Sequence, residues 1–426
     1  MKKGVVPRVY SRLGPGLITG AADDDPSGIA TYSQAGAQFG FSLAWTLFLT
    51  APLMIGIQML SARIGWVTGE GLAANIRKMC PRWLAVFLIA LLVVANTINI
   101  AADIGAMGEA LRILVGGKLA VYVIGFGALS IATQVFFSYE RIVRILKWLT
   151  LGLFAYVAVV LSVSVPWRLA ISQSFLPWEY FPAHGSLSTY AAMVVAVLGT
   201  TISPYLFFWQ AALEVEDSNR RPGAAELKAN PDYAAEHLSR IKVDTVVGMV
   251  FSNLIALCIV IATAVTLNQQ GITDIQTSSQ AAQALRPVAG EFAFLLFALG
   301  IIGTGLLAVP VLAGSAAYAI SELVGWKAGL SSGFREARGF YLIIAVATGI
   351  GTLMSVFDFD PIKALVWSAV VNGVISVPIM AVMMMIGQST KIMGQSTITL
   401  RLKLLGWAAT GVMGASVVFM FVTIGQ

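Results

Sequence analysis

The sequence carries very little charge: Asp, Glu, Lys and Arg make up only 11% of its 426 residues. A soluble globular domain carries about 25%, so this composition excludes an ordinary soluble protein. Hydrophobic residues account for 58% of the chain, and the mean hydropathy is +0.82. These values predict an all-α polytopic membrane protein whose main surroundings are the lipid bilayer.

Cysteine and histidine are also scarce, with two of each. Cys80 and Cys258 are too few and too far apart for a disulfide framework or a thiolate metal cluster. His184 and His237 both fall in predicted loops, so we expect no imidazole at membrane depth. The sequence lacks a Walker loop, a Ser-His-Asp set and an HExxH motif. These absences argue against an ATP-driven pump and against a hydrolase, and we expect neither an enzyme nor a cofactor.

Hydropathy predicts eleven membrane spans, each near the ~20 residues that a bilayer requires. Three connecting loops stand out: an aromatic loop at 167–188 with Trp167, Trp178, Tyr180 and Phe181, a long hydrophilic loop at 214–241 that contains Arg220 and Arg221, and a polar loop at 268–289. The predicted spans are 14–40, 43–66, 83–112, 119–137, 145–166, 189–213, 242–267, 290–323, 339–357, 361–386 and 402–425.

The basic residues predict the orientation of these spans. With a cytoplasmic N-terminus, only five of the 27 lysines and arginines fall on the outer side: Arg112, Lys118, Arg168, Arg286 and Lys363. The positive-inside rule therefore predicts a cell inner-membrane protein with its N-terminus in the cytoplasm and its C-terminus outside. The same rule explains the net charge of +6, which does not indicate nucleic-acid binding, and no obligate protein partner is evident. The basic N-terminus lacks a cleavage site after an apolar core, so we interpret it as a cytoplasmic leader.

The first span contains three successive acids in its middle, Asp23, Asp24 and Asp25. An ionised acid at membrane depth costs about 2.5–3.5 kcal/mol on insertion scales, so three of them do not serve packing. Pro26 lacks a helical N–H, and Gly28 weakens the helix that follows. We predict a helix that unwinds near Asp25–Gly28 and resumes, with carboxylates and freed carbonyls forming an oxygen cage for a cation. The alternative is a short entry helix with its acids in headgroup water.

The sixth span is interrupted in the same way, by Gly199, Thr200, Thr201, Ser203 and Pro204. The first and sixth spans are five spans apart, so the chain crosses the membrane in opposite directions in the two. Two such interruptions at matching positions are typical of a transporter built from inverted repeats, with its site between the breaks. The alternative is a proline kink that only bends the sixth span.

A polar stripe follows one face of the third span, where Asn96, Asn99 and Asp103 are spaced by three and four residues. Such a stripe is expected to face protein or water rather than lipid. On the functional interpretation, the stripe lines the permeation path or contacts the broken helices. On the structural interpretation, it only forms hydrogen bonds between helices. Asp358 and Asp360 lie at the outer end of the ninth span. They are either charges in an outer vestibule of the transport path or ordinary solvated surface residues.

Two strings make the sequence recognisable: GPGLITGAADDDPSGIATYSQAGAQFGFSLAW and LSARIGWVTGEGLA. They resemble the Nramp family of divalent-metal transporters, whose first helix is usually broken at Asp-Pro-Gly-Asn and followed by a similar Gln-Ala-Gly run. The resemblance covers spans one, two and six and the eleven-span layout. It implies a LeuT-type fold in one transmembrane transporter domain over 1–426, with helices 1 and 6 broken at mid-membrane. Its inverted five-helix repeats would be approximately 14–166 and 189–386, with an extra helix at 402–425.

The resemblance also assigns site residues. The metal-binding Asp of the family falls on Asp25, and its Asn falls on Gly28. The small residue whose carbonyl binds metal falls on Thr200. The family's Met-Pro-His-Asn matches Ser-Pro-Tyr-Leu here, so Ser203 replaces the thioether and Tyr205 replaces the histidine that is tied to proton movement.

These departures predict the substrate. A thioether favours soft metals, whereas hydroxyls, carbonyls and carboxylates favour hard ions. The chain therefore resembles a divergent clade of Nramp-related magnesium transporters. The resemblance implies a set of metal ligands and a set of pathway residues. The metal set is Asp25, Asp24, Gly28, Thr200 and Ser203, and the candidate pathway residues are Asp23, Asn99, Asp103 and Tyr205.

Three functions remain open on the sequence. The first is transport of Mg²⁺ and Mn²⁺ by alternating access, driven by the ion gradient and the membrane potential without proton coupling. The second is a proton-coupled Mn²⁺/Fe²⁺ symporter in which Asp103 replaces the missing histidine, since one gapless alignment places the family's third-span acid there. The third is a LeuT-fold carrier of an organic solute.

Overall fold

The computed structural model describes residues 15–136, 150–175, 186–219, 231–357 and 361–424, which are helical with short connections and contain no strand. Several features named from the sequence lie outside these residues: Trp178, Tyr180, Phe181, His184, Arg220, Arg221, Asp358 and Asp360. The helices are α1 Pro15–Asp23, α2 Pro26–Phe39, α3 Ala44–Thr68, α4 Leu72–Met79, α5 Arg82–Val115, α6 Leu119–Phe136, α7 Phe154–Ser162, α8 Trp167–Phe175, α9 Leu187–Thr201, α10 Pro204–Asn219, α11 Pro231–Thr266, α12 Ser278–Ala282, α13 Arg286–Ala289, α14 Ala293–Val324, α15 Arg338–Val356, α16 Pro361–Gln388, α17 Thr390–Met393 and α18 Leu400–Thr423.

Nine helical stretches in the described part of the chain are long and apolar enough to cross a membrane. The other two predicted spans are the first, which is divided between α1 and α2, and the fifth, whose described helix α7 has only nine residues. The prediction of an all-α polytopic membrane protein is confirmed.

The central helices pack so closely that small residues are required between them. Helix α14 packs along α5, α9 packs against α16, and α10 packs against α3. A Cβ atom added at Gly199 would lie 2.2 Å from the carbonyl oxygen of Ala369, so α9 and α16 meet almost backbone to backbone. Such contacts are typical of helices that associate within a bilayer, where packing rather than water exclusion drives association.

Helix α1 is held against α11 by glycines. A Cβ atom at Gly20 would lie 2.5 Å from the carbonyl carbon and oxygen of Gly248, and one at Gly16 would lie 2.7 Å from the backbone nitrogen of Thr245. The backbone N–H of Gly16 also donates to Asp244 Oδ2 at 2.7 Å. Helix α1 is therefore fixed to α11 along its length. This contact positions Asp23 at the end of α1 and the two aspartates that follow.

Gly20→Ala is expected to destabilise the protein, because the added methyl group would meet backbone atoms that cannot move aside. We expect a loss of about 2 kcal/mol in the free energy of unfolding, as for other overpacked sites, measured as a lower melting temperature in detergent. Gly125→Ala is the matched control: Gly125 is an exposed helical glycine with nothing within 4 Å of an added Cβ. The control should be neutral or slightly stabilising, since alanine is the better helix former. Equal melting temperatures for the two variants would contradict the close α1–α11 contact.

Three loop predictions were wrong. The aromatic loop predicted at 167–188 begins with helix α8, Trp167–Phe175. The hydrophilic segment 214–241 is helical at both ends, because α10 continues to Asn219 and α11 begins at Pro231. The polar segment 268–289 contains the short helices α12 and α13 and two turns of 3₁₀ helix. Hydropathy detects only the apolar part of a helix, so a polar helix end outside the bilayer is mistaken for a loop.

Candidate metal site at two broken helices

The first break lies at Asp24 and Asp25, two residues earlier than the centre of the predicted unwound stretch. Asp25 has extended backbone (φ −73°, ψ 171°) and is the N-cap of α2. Its Oδ1 accepts from the backbone N–H of Gly28 at 2.7 Å and from the hydroxyl of Ser27 at 2.8 Å. Pro26 occupies the first turn of α2, where a missing N–H costs nothing. The helix therefore resumes at Pro26 rather than after Gly28.

The second break lies at Ile202 and Ser203. Ile202 leaves the helical conformation (φ −117°, ψ 63°), and Pro204 begins α10. The hydroxyl of Ser203 donates to the carbonyl oxygens of Gly199 and Thr200, both at 2.9 Å. Ser203 thus satisfies carbonyls at the end of α9 and keeps its oxygen lone pairs available. The prediction that both spans are interrupted at mid-helix is correct.

The two breaks face each other. The hydroxyl of Tyr205, on α10, lies 3.3 Å from Asp25 Oδ2 and 3.4 Å from the carbonyl oxygen of Ala22. A Cβ atom at Gly28 would lie 3.3 Å from Thr200 Oγ1, so only a glycine leaves this space between α2 and α9 open. The structure therefore brings Asp25, Gly28, Thr200 and Tyr205 together, as the sequence predicts.

The polar stripe on α5 divides into two parts. The amide of Asn96 donates to the carbonyl oxygen of Leu312 at 2.9 Å and to Ser315 Oγ at 2.8 Å, so this end of the stripe ties α5 to α14. Asn99 and Asp103 are fully buried, and no side-chain polar atom of either has a hydrogen-bond partner in the described part of the chain. Asn96 is therefore structural, and Asp103 stays a predicted pathway residue on the same helix.

Asp23 and Asp24 face α11. The hydroxyl of Ser252 lies 2.6 Å from Asp23 Oδ2 and 3.1 Å from Asp24 Oδ1. The sequence analysis missed Ser252, although a serine followed by an asparagine inside the apolar run of α11 was a signal that could have found it.

The side chains at the two breaks offer oxygen atoms only. Asp25, Thr200 and Ser203 are each 1 or 2% exposed, so the site is closed to bulk solvent in this conformation. The C-terminal ends of α1 and α9 add the partial negative charge of their helix dipoles. Buried carboxylates, hydroxyls and helix C-termini together favour a hard cation and disfavour an anion.

A second group of charged residues joins the C-terminal end of α10 to the N-terminal part of α11. Arg240 Nη2 lies 3.2 Å from Glu214 Oε2, 3.0 Å from Asp217 Oδ2 and 3.2 Å from His237 Nε2. The His237 ring stacks on Trp66 of α3 at 4.8 Å between ring centroids. The prediction that His237 lies in a loop is therefore wrong, because α11 extends past the apolar part of its span. The Glu214, Asp217 and His237 ligand atoms lie within 4.8 Å of one another, but the Arg240 guanidinium contacts all three residues.

Arg240→Gln is expected to destabilise the fold, because it leaves the Glu214 carboxylate, whose side chain is 0% exposed, without its charge partner. Removing one member of a buried pair typically costs about 3–5 kcal/mol, so we expect a clearly lower melting temperature in detergent. The double variant Glu214→Gln/Arg240→Gln should recover part of the loss, since no buried charge is then unpaired. A double variant that is less stable than Arg240→Gln would show that the ion pair is not the source of the effect.

The chain is similar in sequence and fold to known metal transporters. The sequence model of the family described as natural resistance-associated macrophage protein-like (Nramp) matches residues 16–423. The divalent metal cation transporter MntH of Verminephrobacter eiseniae is 27% identical over 393 residues, which is 89% of this chain and 82% of that protein. MntH of Pectobacterium carotovorum is 29% identical over 314 residues, which is 71% of this chain and 69% of that protein. A crystal structure of the manganese transporter of Eremococcus coleocola is similar with a TM-score of 0.75 at 17% identity, covering 100% of this chain and 88% of that one.

A bundle of membrane-spanning helices around two interrupted helices, with buried carboxylates at the interruptions, defines a multi-pass membrane transporter of the LeuT-type fold. The chain belongs to the Nramp family of divalent metal cation transporters. It is a transporter rather than an enzyme, and the family predicted from the two sequence strings is confirmed.

Proposed function

We propose that this transporter carries Mg²⁺ and Mn²⁺ across the cell inner membrane by alternating access, without obligatory proton coupling. Asp25 and Asp24 are the principal ligands, and retained waters bridge the ion to Thr200, Ser203 and the carbonyls near Gly28. The N-terminus is cytoplasmic and the C-terminus is outside, as the distribution of basic residues predicts.

The observation that carries this proposal is that the polar side chains at the two breaks, Asp24, Asp25 and Ser203, carry oxygen and no sulfur. Ser203 stands at the second break, and its hydroxyl is bonded to carbonyls of α9, so no sulfur is offered there. Mg²⁺ dehydrates reluctantly and is usually held by one or two carboxylates with several waters retained. Mn²⁺ accepts the same ligands. The manganese transporter and the MntH proteins among the relatives support Mn²⁺ as a substrate.

The membrane potential is sufficient to drive uptake. It is worth about 2.3 kcal/mol per charge per 100 mV, or roughly 4–5 kcal/mol for a divalent ion entering an inside-negative cell. Tyr205 occupies the position of the family histidine, and its hydroxyl lies 3.3 Å from Asp25 Oδ2. A phenol has a pKa near 10 in water, so it is a poor carrier of protons at neutral pH.

The test is uptake into proteoliposomes that contain a Mg²⁺ indicator, with the potential clamped by a potassium gradient and an ionophore. We expect Mg²⁺ and Mn²⁺ uptake that grows with inside-negative potential and is unchanged when a pH gradient is imposed. Uptake that depends on the pH gradient would refute the absence of proton coupling, and Mn²⁺ uptake without Mg²⁺ uptake would refute the substrate assignment.

One observation favours the proton-coupled Mn²⁺/Fe²⁺ alternative. Asp103 is fully buried, and neither of its carboxyl oxygens has a hydrogen-bond partner among the described residues. If Asp103 carries a proton across, Mn²⁺ uptake must acidify the vesicle interior, and Asp103→Asn must abolish that acidification. Membership in a metal-transporter family argues against the organic-solute alternative.

A further inference from the structure

Helix α3 carries a buried glutamine whose carboxamide is unpaired in the described part of the chain. Gln58 is 1% exposed, and neither its Oε1 nor its Nε2 is hydrogen-bonded to a residue that the structure describes. Buried polar groups are nearly always bonded to protein or to ordered water, because an unpaired group costs stability. Asn99 and Asn372 are unpaired in the same way, so the position of Gln58 decides what it binds.

Contacts on either side of the second break show how α3 runs past it. Before the break, the Trp45 indole N–H of α3 donates to the Tyr190 hydroxyl of α9 at 3.1 Å. After the break, the Ser61 hydroxyl of α3 donates to the Phe207 carbonyl oxygen of α10. The partners are 145 residues apart in the first contact and 146 in the second. Helix α3 therefore runs parallel to both halves of the interrupted span, with a nearly constant offset.

The same offset places Gln58 level with the second break, opposite Ser203 and Pro204. Gln58 also lies on the face of α3 that meets α10, since it precedes Ser61 by three residues and Gly65 by seven. Ser61 donates to a carbonyl of α10, and a Cβ atom added at Gly65 would meet backbone atoms of α10. An unpaired carboxamide is thus held beside the interruption where the proposed cation site lies.

A carboxamide at this position suits a water molecule that is bound to a cation. Water coordinates a metal through its oxygen, so its hydrogens point away from the ion and need acceptors. Oε1 of Gln58 is such an acceptor, and Nε2 is a donor to a further oxygen. Mg²⁺ gives up its waters reluctantly and is usually bound with several of them in place. A contact through a retained water is nearly as favourable as a direct hydrogen bond.

We propose that Gln58 is a further residue of the cation site, and that its carboxamide binds a water which the divalent ion retains. The inference rests on the proposed transport of Mg²⁺, and it extends the site from the two broken helices to α3. A carboxamide carries no net charge, so its contribution depends on the water more than on the charge of the ion. Gln58 therefore favours Mg²⁺, which holds its waters firmly, over Mn²⁺, which exchanges them more readily.

The test is titration calorimetry on the full chain in lipid nanodiscs, with Mg²⁺ alone and with Mn²⁺ alone. Gln58→Leu keeps a similar size and removes both polar atoms. We expect it to lower the Mg²⁺ affinity about tenfold and the Mn²⁺ affinity no more than about threefold. Gln134→Leu is the matched control, since Gln134 is 4% exposed and its Nε2 donates to the Ser130 carbonyl of its own helix, α6. The control should bind both ions as the wild type does.

Gln58→Glu is a second variant of the same shape, and it gives the opposite result if the inference is correct. A carboxylate accepts more strongly than an amide from a metal-bound water, so the Mg²⁺ affinity should rise above that of the wild type. A glutamine with a purely structural role would be harmed by both substitutions, and the two ions would be affected equally. The melting temperature without metal checks that each variant is folded, and Gln58→Glu decides the matter if Gln58→Leu is not.

The outcomes separate this inference from the transport proposal. Wild-type Mg²⁺ affinity in Gln58→Leu, equal losses for the two ions, or a weaker Mg²⁺ affinity in Gln58→Glu would each overturn the role of Gln58. The site at Asp25, Thr200 and Ser203 would stand in all three cases. Wild-type protein that binds Mn²⁺ and no Mg²⁺ would overturn the proposed Mg²⁺ transport, and the role of Gln58 with it.

Discussion

Asp25→Asn is expected to abolish uptake of divalent cations while leaving the fold in place. The two roles of Asp25 use different oxygens: Oδ1 caps α2 by accepting from Gly28 and Ser27, and Oδ2 points to Tyr205 and the gap between the breaks. Asparagine is as good an N-cap as aspartate, so the capping role survives. The negative charge that faces the ion is lost, because asparagine is neutral.

The expected loss in Mn²⁺ uptake is on the order of 100-fold, because removing a buried, paired charge costs roughly 2–5 kcal/mol. Initial rates in proteoliposomes measure it, and the melting temperature without metal checks the fold. Ser27→Ala is the matched control, since it removes one hydrogen bond to Oδ1 and no charge, and its uptake should fall only a few-fold. An Asp25→Asn variant that transports within a few-fold of wild type would show that Asp25 is a helix cap and not an ion ligand.

The sequence predicts the fold because each of its signals is local. Apolar runs near the bilayer thickness indicate spans, and a proline beside small or acidic residues marks each break. The position of the first break was predicted two residues late, because Gly28 was interpreted as a helix breaker. In the structure it is the residue whose N–H the cap Asp25 satisfies, and its lack of a side chain leaves room for Thr200.

The directions of the side chains could not be predicted, because they depend on contacts between distant helices. Three successive residues at a helix end point in different directions, and only the position of Ser252 on α11 shows that Asp23 and Asp24 both reach its hydroxyl. The functions of Asn96 and Asp103 were equally ambiguous from their spacing. They are distinguished by Ser315, which bonds Asn96 and has no counterpart near Asp103 among the residues that the structure describes.

Ser203→Met is expected to change the selectivity of the site from Mg²⁺ toward softer ions. The substitution introduces a thioether at the second break, where the hydroxyl now donates to the carbonyl oxygens of Gly199 and Thr200. Sulfur binds soft metals and coordinates Mg²⁺ poorly, and the longer side chain displaces waters that a hydrated Mg²⁺ retains. We expect Mg²⁺ affinity to fall about tenfold and Cd²⁺ affinity to rise about tenfold, a change of roughly 1.4 kcal/mol in each, measured by titration calorimetry.

Ser203→Leu separates the effect of sulfur from the effect of size. Leucine fills a similar volume and also leaves the Gly199 and Thr200 carbonyls without the serine hydroxyl, but it offers no lone pair. Both variants should therefore lose Mg²⁺ affinity, and only the methionine should gain Cd²⁺ affinity. If leucine gained as much as methionine, the change would come from loss of water or from the freed carbonyls, and the argument from donor chemistry would fail. If neither lost Mg²⁺ affinity, Ser203 would lie outside the path of the ion, and the selectivity would have to be set by the carboxylates of the first break alone.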